Sequence, residues 1–312
     1  MASQKNVEFR TADGVTLRGR LLVSHAHGHG QGRGPGIAML PGFNAVKEMV
    51  GVPSAAQHFQ DSGFTVLLFD SRSVGQSDGT PRNDIDPFKQ TEDLSDALTF
   101  LAAQPSVDPS RLGVWGMSLG GAVALCTACF DTRVRFAVGV CPAVEYRYDG
   151  ARLPKVLAKV TRDRESRIKG NDPLYVPMMD EARGENPAGF DLGVEKAAAL
   201  RILGARDDSI ATRTELAPGH VNRTTIQSYL RILMWQPAGL WAEHLRVPTL
   251  LVVPENDALV GLERNREVFD SLGCPKSMHV EPGRGHLDIL EGENLPELMK
   301  IQSDFVSQTL KK

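Results

Sequence analysis

Residues 113–129 read as a strand, a tight turn and a helix with nothing between them. Gly113-Val114-Trp115 is a short apolar β run, and Gly116-Met117-Ser118-Leu119-Gly120 is the turn. Gly121-Ala-Val-Ala-Leu-Cys-Thr-Ala-Cys129 then follows as a helix of small residues. A strained strand-to-helix turn of this kind presents a serine hydroxyl at the carboxyl edge of a sheet. Glycine is expected at 116 and 120, because a Cβ there would collide with neighbouring backbone. The helix points its N-terminus at the serine, where partial positive charge favours a developing oxyanion.

The pattern G-x-S-x-G is weak by itself, arising by chance in about one chain of this length in ten. A second copy is present, Gly75-Gln76-Ser77-Asp78-Gly79. Polar Ser71-Arg72-Ser73 precedes it and Thr80-Pro81-Arg82-Asn83 follows, so neither strand nor helix flanks it. That copy reads as a loop, and Ser118 as the candidate nucleophile.

The rest of the chain supplies a sheet for the turn to sit on. Residues 7–10 and 15–23 alternate with period two about Ala12-Asp13-Gly14, which predicts a β-hairpin. Gly36-Ile-Ala-Met-Leu40 and Thr65-Val-Leu-Leu-Phe-Asp70 are apolar runs expected to be buried strands, with a helix between them over 46–61. Residues 92–103 space Leu94, Ala97, Leu98 and Leu101 as a helix does, and 134–140 is the next strand. Strands buried on both faces and alternating with helices imply a largely parallel, right-handedly wound sheet. The alternation stops between about 143 and 246, where charge and helical stretches (154–169, 193–202, 223–235) predominate, and resumes with strands at 247–253 and 276–280 and a helix from 295. The expected organisation is a core of residues 1–142 and 247–312, with 143–246 a helical cap inserted between two strands of one sheet. Such a cap lies over the carboxyl edge, where ligands bind in these folds.

A serine hydroxyl needs a base to take its proton, and the base needs an orienting partner. Eight histidines compete. His25, His27 and His29 lie in a glycine-rich loop, His58 in a helix, His220 and His244 in the cap, and His279 inside a strand. His286, in Gly283-Arg-Gly-His-Leu-Asp288 just after the last strand, is placed to reach the serine and is the candidate base. The acid should follow a strand between serine and histidine. Asp257, in Pro254-Glu-Asn-Asp257, meets that condition, with Glu255 and Glu145 as runners-up. The oxyanion requires two backbone N–H donors: Leu119, after the serine, and Phe43, in the turn that closes the third strand.

The order Ser118, Asp257, His286 is that of α/β-hydrolases. The whole chain resembles the dienelactone-hydrolase-like branch of that superfamily. Pro41-Gly42-Phe43-Asn44, Val46-Lys47-Glu48, Asp70-Ser-Arg-Ser-Val-Gly-Gln-Ser-Asp-Gly79, Arg82-Asn-Asp-Ile-Asp-Pro87, Trp115-Gly-Met-Ser-Leu-Gly120 and Asn222-Arg-Thr-Thr225 are similar to fungal members encoded with polyketide pathways. Those members are described as polyketide hydrolases, thiohydrolases or polyketide transferases. Pro41 departs from the pattern, since many α/β-hydrolases have histidine before that glycine. The resemblance implies an α/β-hydrolase fold, a mostly parallel twisted sheet flanked by helices. It also implies cleavage of an ester or thioester of a polyketide-like acyl chain through an acyl-enzyme. Transfer to an alcohol or amine acceptor would use the same residues. A non-catalytic binder of a small ligand would not need serine, acid and base together.

Composition limits the partners. A net charge of −3 and a pI near 6.3 give no reason to expect nucleic acid. No apolar run reaches the ~20 residues of a membrane span, and the start lacks a signal-peptide core, so a cytoplasmic protein is expected. Four cysteines are too few for a disulfide framework, and Cys126-x-x-Cys129 lies among small apolar residues as buried thiols do. No cofactor and no metal is implied. Between Arg152 and Lys169 seven basic residues face two acidic ones. Arg152, Lys155, Lys159, Arg162 and Lys169 share one helical face, and Leu153, Val156, Leu157 and Val160 another. The apolar face is expected to be buried, with some of Leu153, Val156, Leu157, Val160, Met234, Trp235, Leu240 and Trp241 lining the cleft. The basic face suits an acidic partner such as an acyl carrier domain bearing the substrate; a small-molecule acyl substrate is the simpler expectation.

Overall fold

In the computed structural model, described for residues 3–24, 26, 32–49, 51–148, 150–178, 186 and 219–311, the chain winds about one eight-stranded sheet. Its strands are β1 (Ser3–Arg10), β2 (Thr16–Val23), β3 (Gly34–Leu40), β4 (Thr65–Phe69), β5 (Val107–Met117), β6 (Val134–Val140), β9 (Thr249–Pro254) and β10 (Lys276–Glu281). A two-stranded ladder, β7 (Tyr175–Val176) with β8 (Thr224–Thr225), stands apart from it. The order across the large sheet is β1-β2-β4-β3-β5-β6-β9-β10. The hairpin β1–β2 is antiparallel and β2 runs antiparallel to β4, while every other pairing is parallel.

The sequence dictates this layering. In β3 every residue is buried, so its side chains must alternate between two apolar layers. Ala38 and Leu40 face one core and Ile37 and Met39 the other. The first core is roofed by α2 (Pro87–Ala102) and α3 (Leu119–Phe130), through Leu94, Leu98, Leu101 and Val123. The second is roofed by α1 (Val52–Asp61) and by α8, the C-terminal helix Leu295–Thr309, through Val52, Phe59, Leu298 and Val306. Trp115 is buried in the second core, and its Nε1–H donates to Gln302 Oε1 at 2.8 Å. An indole donor buried without such a partner would cost about 1–3 kcal/mol.

The expected helix over 46–61 is shorter than predicted and begins at Val52. Two features stop it extending backward. Gly51 takes φ 82°, and the main-chain N–H and ammonium of Lys47 are both drawn to the buried Asp70 carboxylate, at 2.7 and 2.8 Å. Lys47 Nζ also reaches Gln76 Oε1 and Glu48, both at 3.0 Å. Between β6 and β9 the described residues contain α4 (Leu153–Ile168), α5 (Ile226–Met234) and α6 (Ala238–His244). The predicted helix 193–202 lies outside the described residues. β6 and β9 pair directly, from Ala137 against Thr249 to Val140 against Val252, although residues 141–248 intervene in the chain. Helix α7 (Leu262–Ser271) connects β9 to β10. Among the described residues no helix is long and apolar enough to cross a membrane.

Candidate active site

Chain order reverses at the middle of the sheet. From β3 the chain moves to β4 on one side and then to β5 on the other, opening a crevice beyond the carboxyl ends of β3 and β5. The turns after β3 and β5 meet there. Ser118 follows β5 at φ 56°, ψ −122°, a conformation that strains any residue with a Cβ, and α3 begins at once. The two glycines of the turn are required by contact. A Cβ on Gly116 would lie 2.0 Å from the Gly120 carbonyl oxygen, and one on Gly120 would lie 2.2 Å from the Pro41 oxygen. Gly42 lies against the serine, with room for a Cβ only 3.1 Å from Ser118 Cβ.

The structure brings Ser118, His286 and Asp257 into one hydrogen-bonded chain. Ser118 Oγ is 2.8 Å from His286 Nε2, and His286 Nδ1 is 2.8 Å from Asp257 Oδ2. The second carboxylate oxygen of Asp257 accepts the N–H groups of Leu259 and Val260 at 2.9 and 3.0 Å, so the loop after β9 fixes the acid from below. His286 sits in the loop after β10. That loop is tied to the one after β9, where Asn256 N–H donates to Arg284 O and Gly283 N–H to Glu255, both at 2.8 Å. The Cys141 thiol donates to the His286 carbonyl at 3.6 Å. Burial works against a charged imidazole here. The neighbouring Cys141 sulfur and the Asp257 carboxylate outweigh it and hold His286 well above the usual histidine range.

The other candidates have different roles. Glu255 caps the Gly283 amide, and Glu145 pairs with Arg147 and Arg264 at 3.0 and 3.1 Å. His58 neighbours Ser303, His244 packs on Phe130, and His279 reaches Glu281 at 2.8 Å. His220 lies by Asn44, and burial pushes its pKa down to about 4. His25, His27 and His29 lie outside the described residues. Ser77, of the second G-x-S-x-G, is buried; it donates to Asp70 O at 2.6 Å and accepts Arg18 N–H at 2.9 Å, bracing its loop. Cys126 takes the Trp241 indole N–H at 3.2 Å, and burial raises both Cys126 and Cys129 to about 12, which suits packing rather than redox work. Among the described residues no group of three or more His, Cys, Asp or Glu is placed to hold a metal.

Gly42 and Phe43, on the turn after β3, open with Ser118 and His286 onto one cavity. Leu119 is the first residue of α3, so its N–H has no carbonyl one turn back to accept it. The cavity is otherwise apolar, walled by Met49, Met117, Met178, Leu259 and Leu287, with Tyr146 and Asn186 at its polar points. The expectation for its lining needs correction. None of Leu153, Val156, Leu157, Val160, Met234, Trp235, Leu240 or Trp241 is among its described walls. Met234, Leu157 and Leu240 face solvent, Trp235 packs on Phe88, and Trp241 covers Cys126. From the stretch 143–246 the walls are instead Tyr146, Met178 and Asn186, which carry no periodic signal.

The pattern of the α/β hydrolase fold family matches residues 37–293. The chain is 40% identical to a thiohydrolase of Eupenicillium brefeldianum, over 98% of this chain and 94% of that one. It is 39% identical to a polyketide transferase of Stachybotrys chlorohalonatus, over 99% and 98%. The structure of DcsB in complex with its substrate analogue superimposes with a TM-score of 0.88 at 36% identity, covering 98% of this chain and 100% of that one. The chain belongs to the α/β hydrolase fold family, in the group that holds these thiohydrolases and polyketide transferases.

Proposed function

We propose that this protein is a serine acyl hydrolase or acyltransferase acting on the ester or thioester of a polyketide-like acyl chain. The observation that carries the reading is the buried chain from Ser118 through His286 to Asp257, with both links at 2.8 Å. Ser118 Oγ attacks the acyl carbonyl carbon while His286 Nε2 takes its proton. The tetrahedral oxyanion is held by the N–H groups of Phe43 and Leu119. Collapse expels the thiol or alcohol, which leaves with the proton from His286, and the acyl group remains on Ser118. Water, or an alcohol or amine acceptor, gives its proton to His286 and attacks the acyl-enzyme; the bond from Ser118 Oγ to the acyl carbon then breaks, His286 returns the proton to Ser118, and the acid or the transferred product is released. Asp257 keeps the imidazole in the tautomer that this cycle needs.

The apolar, methionine-rich cavity supports an apolar acyl group of variable shape, since Met fills irregular space without fixed shape. The names of the relatives, thiohydrolase and polyketide transferase, support a thioester donor and leave both water and a second substrate as acceptors. The donor in this reading is a small-molecule thioester or a carrier-bound one, the latter with an acyl carrier domain as partner. Residues 1–142 and 247–312 form the catalytic core in this reading, with 143–246 as a cap over it. Four cysteines free of disulfides suit the reducing cytoplasm.

A fluorophosphonate probe tests the assignment. The protein should become covalently labelled at Ser118, and Ser118→Ala should lose both labelling and turnover while keeping its fold. Only the ~10³–10⁴-fold advantage over water that binding and the oxyanion hole supply should survive. A wild-type protein that stays unlabelled would return the scaffold to ligand binding.

A further inference from the structure

The turn that carries Phe43 does not stand alone. Its next residue, Asn44, is buried and takes φ 53°, a left-handed conformation that asparagine tolerates better than most residues. The Asn44 side-chain amide is engaged on both sides. Its Nδ2 donates to the carbonyls of Val221 at 2.9 Å and Arg223 at 3.2 Å, and its Oδ1 accepts from Asn83 Nδ2 at 2.9 Å. Asn83 is likewise buried and left-handed, at φ 53°. It anchors the far side, donating its N–H to Ser73 O at 2.8 Å and accepting the Thr225 N–H at 3.1 Å. Thr225 belongs to β8, whose partner β7 leads two residues on to Met178 in the cavity wall. Met178 Sδ lies 3.9 Å from the same Asn44 amide, and the Tyr229 ring of α5 lies 5.7 Å from the Phe43 ring. One amide therefore ties together the turn bearing Phe43, the loop after β4 and the strap before α5.

We propose that Asn44, clasped by Asn83, is a positioning residue that fixes the Phe43 N–H where the oxyanion forms and locks that donor to the wall of the acyl cavity. The inference rests on the serine acyl-transfer reading above. An oxyanion donor helps only if it is aimed where charge develops in the transition state. The turn has no regular ladder of its own, so side-chain anchors must supply its rigidity. Displacement of a positioned group by ~1 Å costs about 10²-fold in rate. The substrate carbonyl before attack carries little charge, so the loss falls on kcat and spares KM.

The test uses Asn44→Gly, which keeps the left-handed backbone open while removing three side-chain hydrogen bonds, and Asn83→Gly, which removes only the partner. Each is assayed on a small soluble acyl thioester, on a boronic acid that mimics the tetrahedral adduct on Ser118, and on the free carboxylic acid product. Expected are a kcat about 10- to 100-fold lower, KM within about threefold, boronate affinity falling in step with kcat, and product affinity unchanged. The double variant should be little worse than the worse single one, since both break one clasp. A kcat within about threefold of wild type in Asn44→Gly would overturn the proposal, as would parallel losses in KM and product affinity. If Asn44→Gly does not fold, Asn83→Gly carries the same criteria. Failure of the underlying reading is seen separately, as a wild-type protein that is neither labelled by fluorophosphonate nor active on the thioester.

Discussion

Asp257 divides its two oxygens between the histidine and its own loop, and this division bears on the electrostatics of His286. Burial disfavours the imidazolium, while the Cys141 sulfur and the Asp257 carboxylate favour it and prevail. In the proposed cycle His286 must be neutral to take the serine proton, so activity is lost as pH falls through a raised pKa. The expected profile of kcat/KM therefore rises with pH and inflects above the ordinary histidine value of about 6.5. In Asp257→Asn burial meets less opposition, so the inflection should move to lower pH, while kcat falls by about 10⁴-fold. A pH–rate profile of both proteins checks it, and an unmoved inflection would mean that the acid works elsewhere. The meeting of Ser118, Asp257 and His286 was legible in the sequence because each lies in the turn or loop that follows a strand, and the strand ends of a parallel sheet converge on one edge. Met178, Asn186 and Tyr146 were not legible. Cavity walls arise where segments distant in the chain happen to meet, and no local periodicity records that meeting. Asn44 left one trace, a polar residue set between Phe43 and Ala45 in a turn that is otherwise apolar.

Helix α4 matches its expected span within a residue at each end, but its buried side is narrower than the apolar periodicity implies. Val156 and Val160 are buried, but Leu157 is 38% exposed, and the third buried position is Asp163. That carboxylate accepts Leu174 N–H at 2.6 Å and Gln227 Nε2 at 2.7 Å, so a hydrogen-bonded anion takes a place that periodicity reserves for an apolar residue. The helix over 46–61 failed for a related reason, because Lys47 is satisfied by Asp70, 23 residues away, instead of by a helical ladder. The polar face of α4 fits its reading, with Lys155, Lys159, Arg162 and Lys169 all exposed. If the substrate arrives on an acidic carrier domain, this face should speed its encounter, an effect screened beyond about 8 Å at physiological salt. Reversing Lys155, Lys159 and Arg162 to glutamate should lower kcat/KM for the carrier-bound thioester and leave a small soluble thioester unaffected. The difference should shrink as salt is added. Equal loss on both substrates would point to damage within the fold, and no loss on either would leave this face to solvent.

Across the whole molecule the large sheet takes no strand from the described residues of 141–248, and the described elements of that stretch are anchored unequally. β6 pairs with β9 in continuous register, and β3, β4 and β9 bury every residue they contain. By contrast, α4 is held by Val156 and Val160 together with the Asp163 hydrogen bonds, and β7–β8 is a ladder of two residues per strand. A fully buried valine contributes roughly 1.5–3 kcal/mol, so the anchoring of α4 and of β7–β8 is small against that of strands flanked by two apolar cores, whereas α5 and α6 bury Tyr229, Ile232 and Trp241 in the first core. Local opening follows buried contact, and elements with few such contacts open without the rest of the protein. Amides in 153–168 should therefore exchange with solvent deuterium well before those of β3, β5, β6 and β9, in the free protein at neutral pH. Reaction of Ser118 with a phosphonate bearing an alkyl chain should slow exchange near Tyr146 and Met178, because the chain would fill the cavity that those residues wall, while the sheet stays as it was. Exchange as slow in 153–168 as in β5 would show that the inserted segment and the sheet open together, and that the catalytic core has no separate cap.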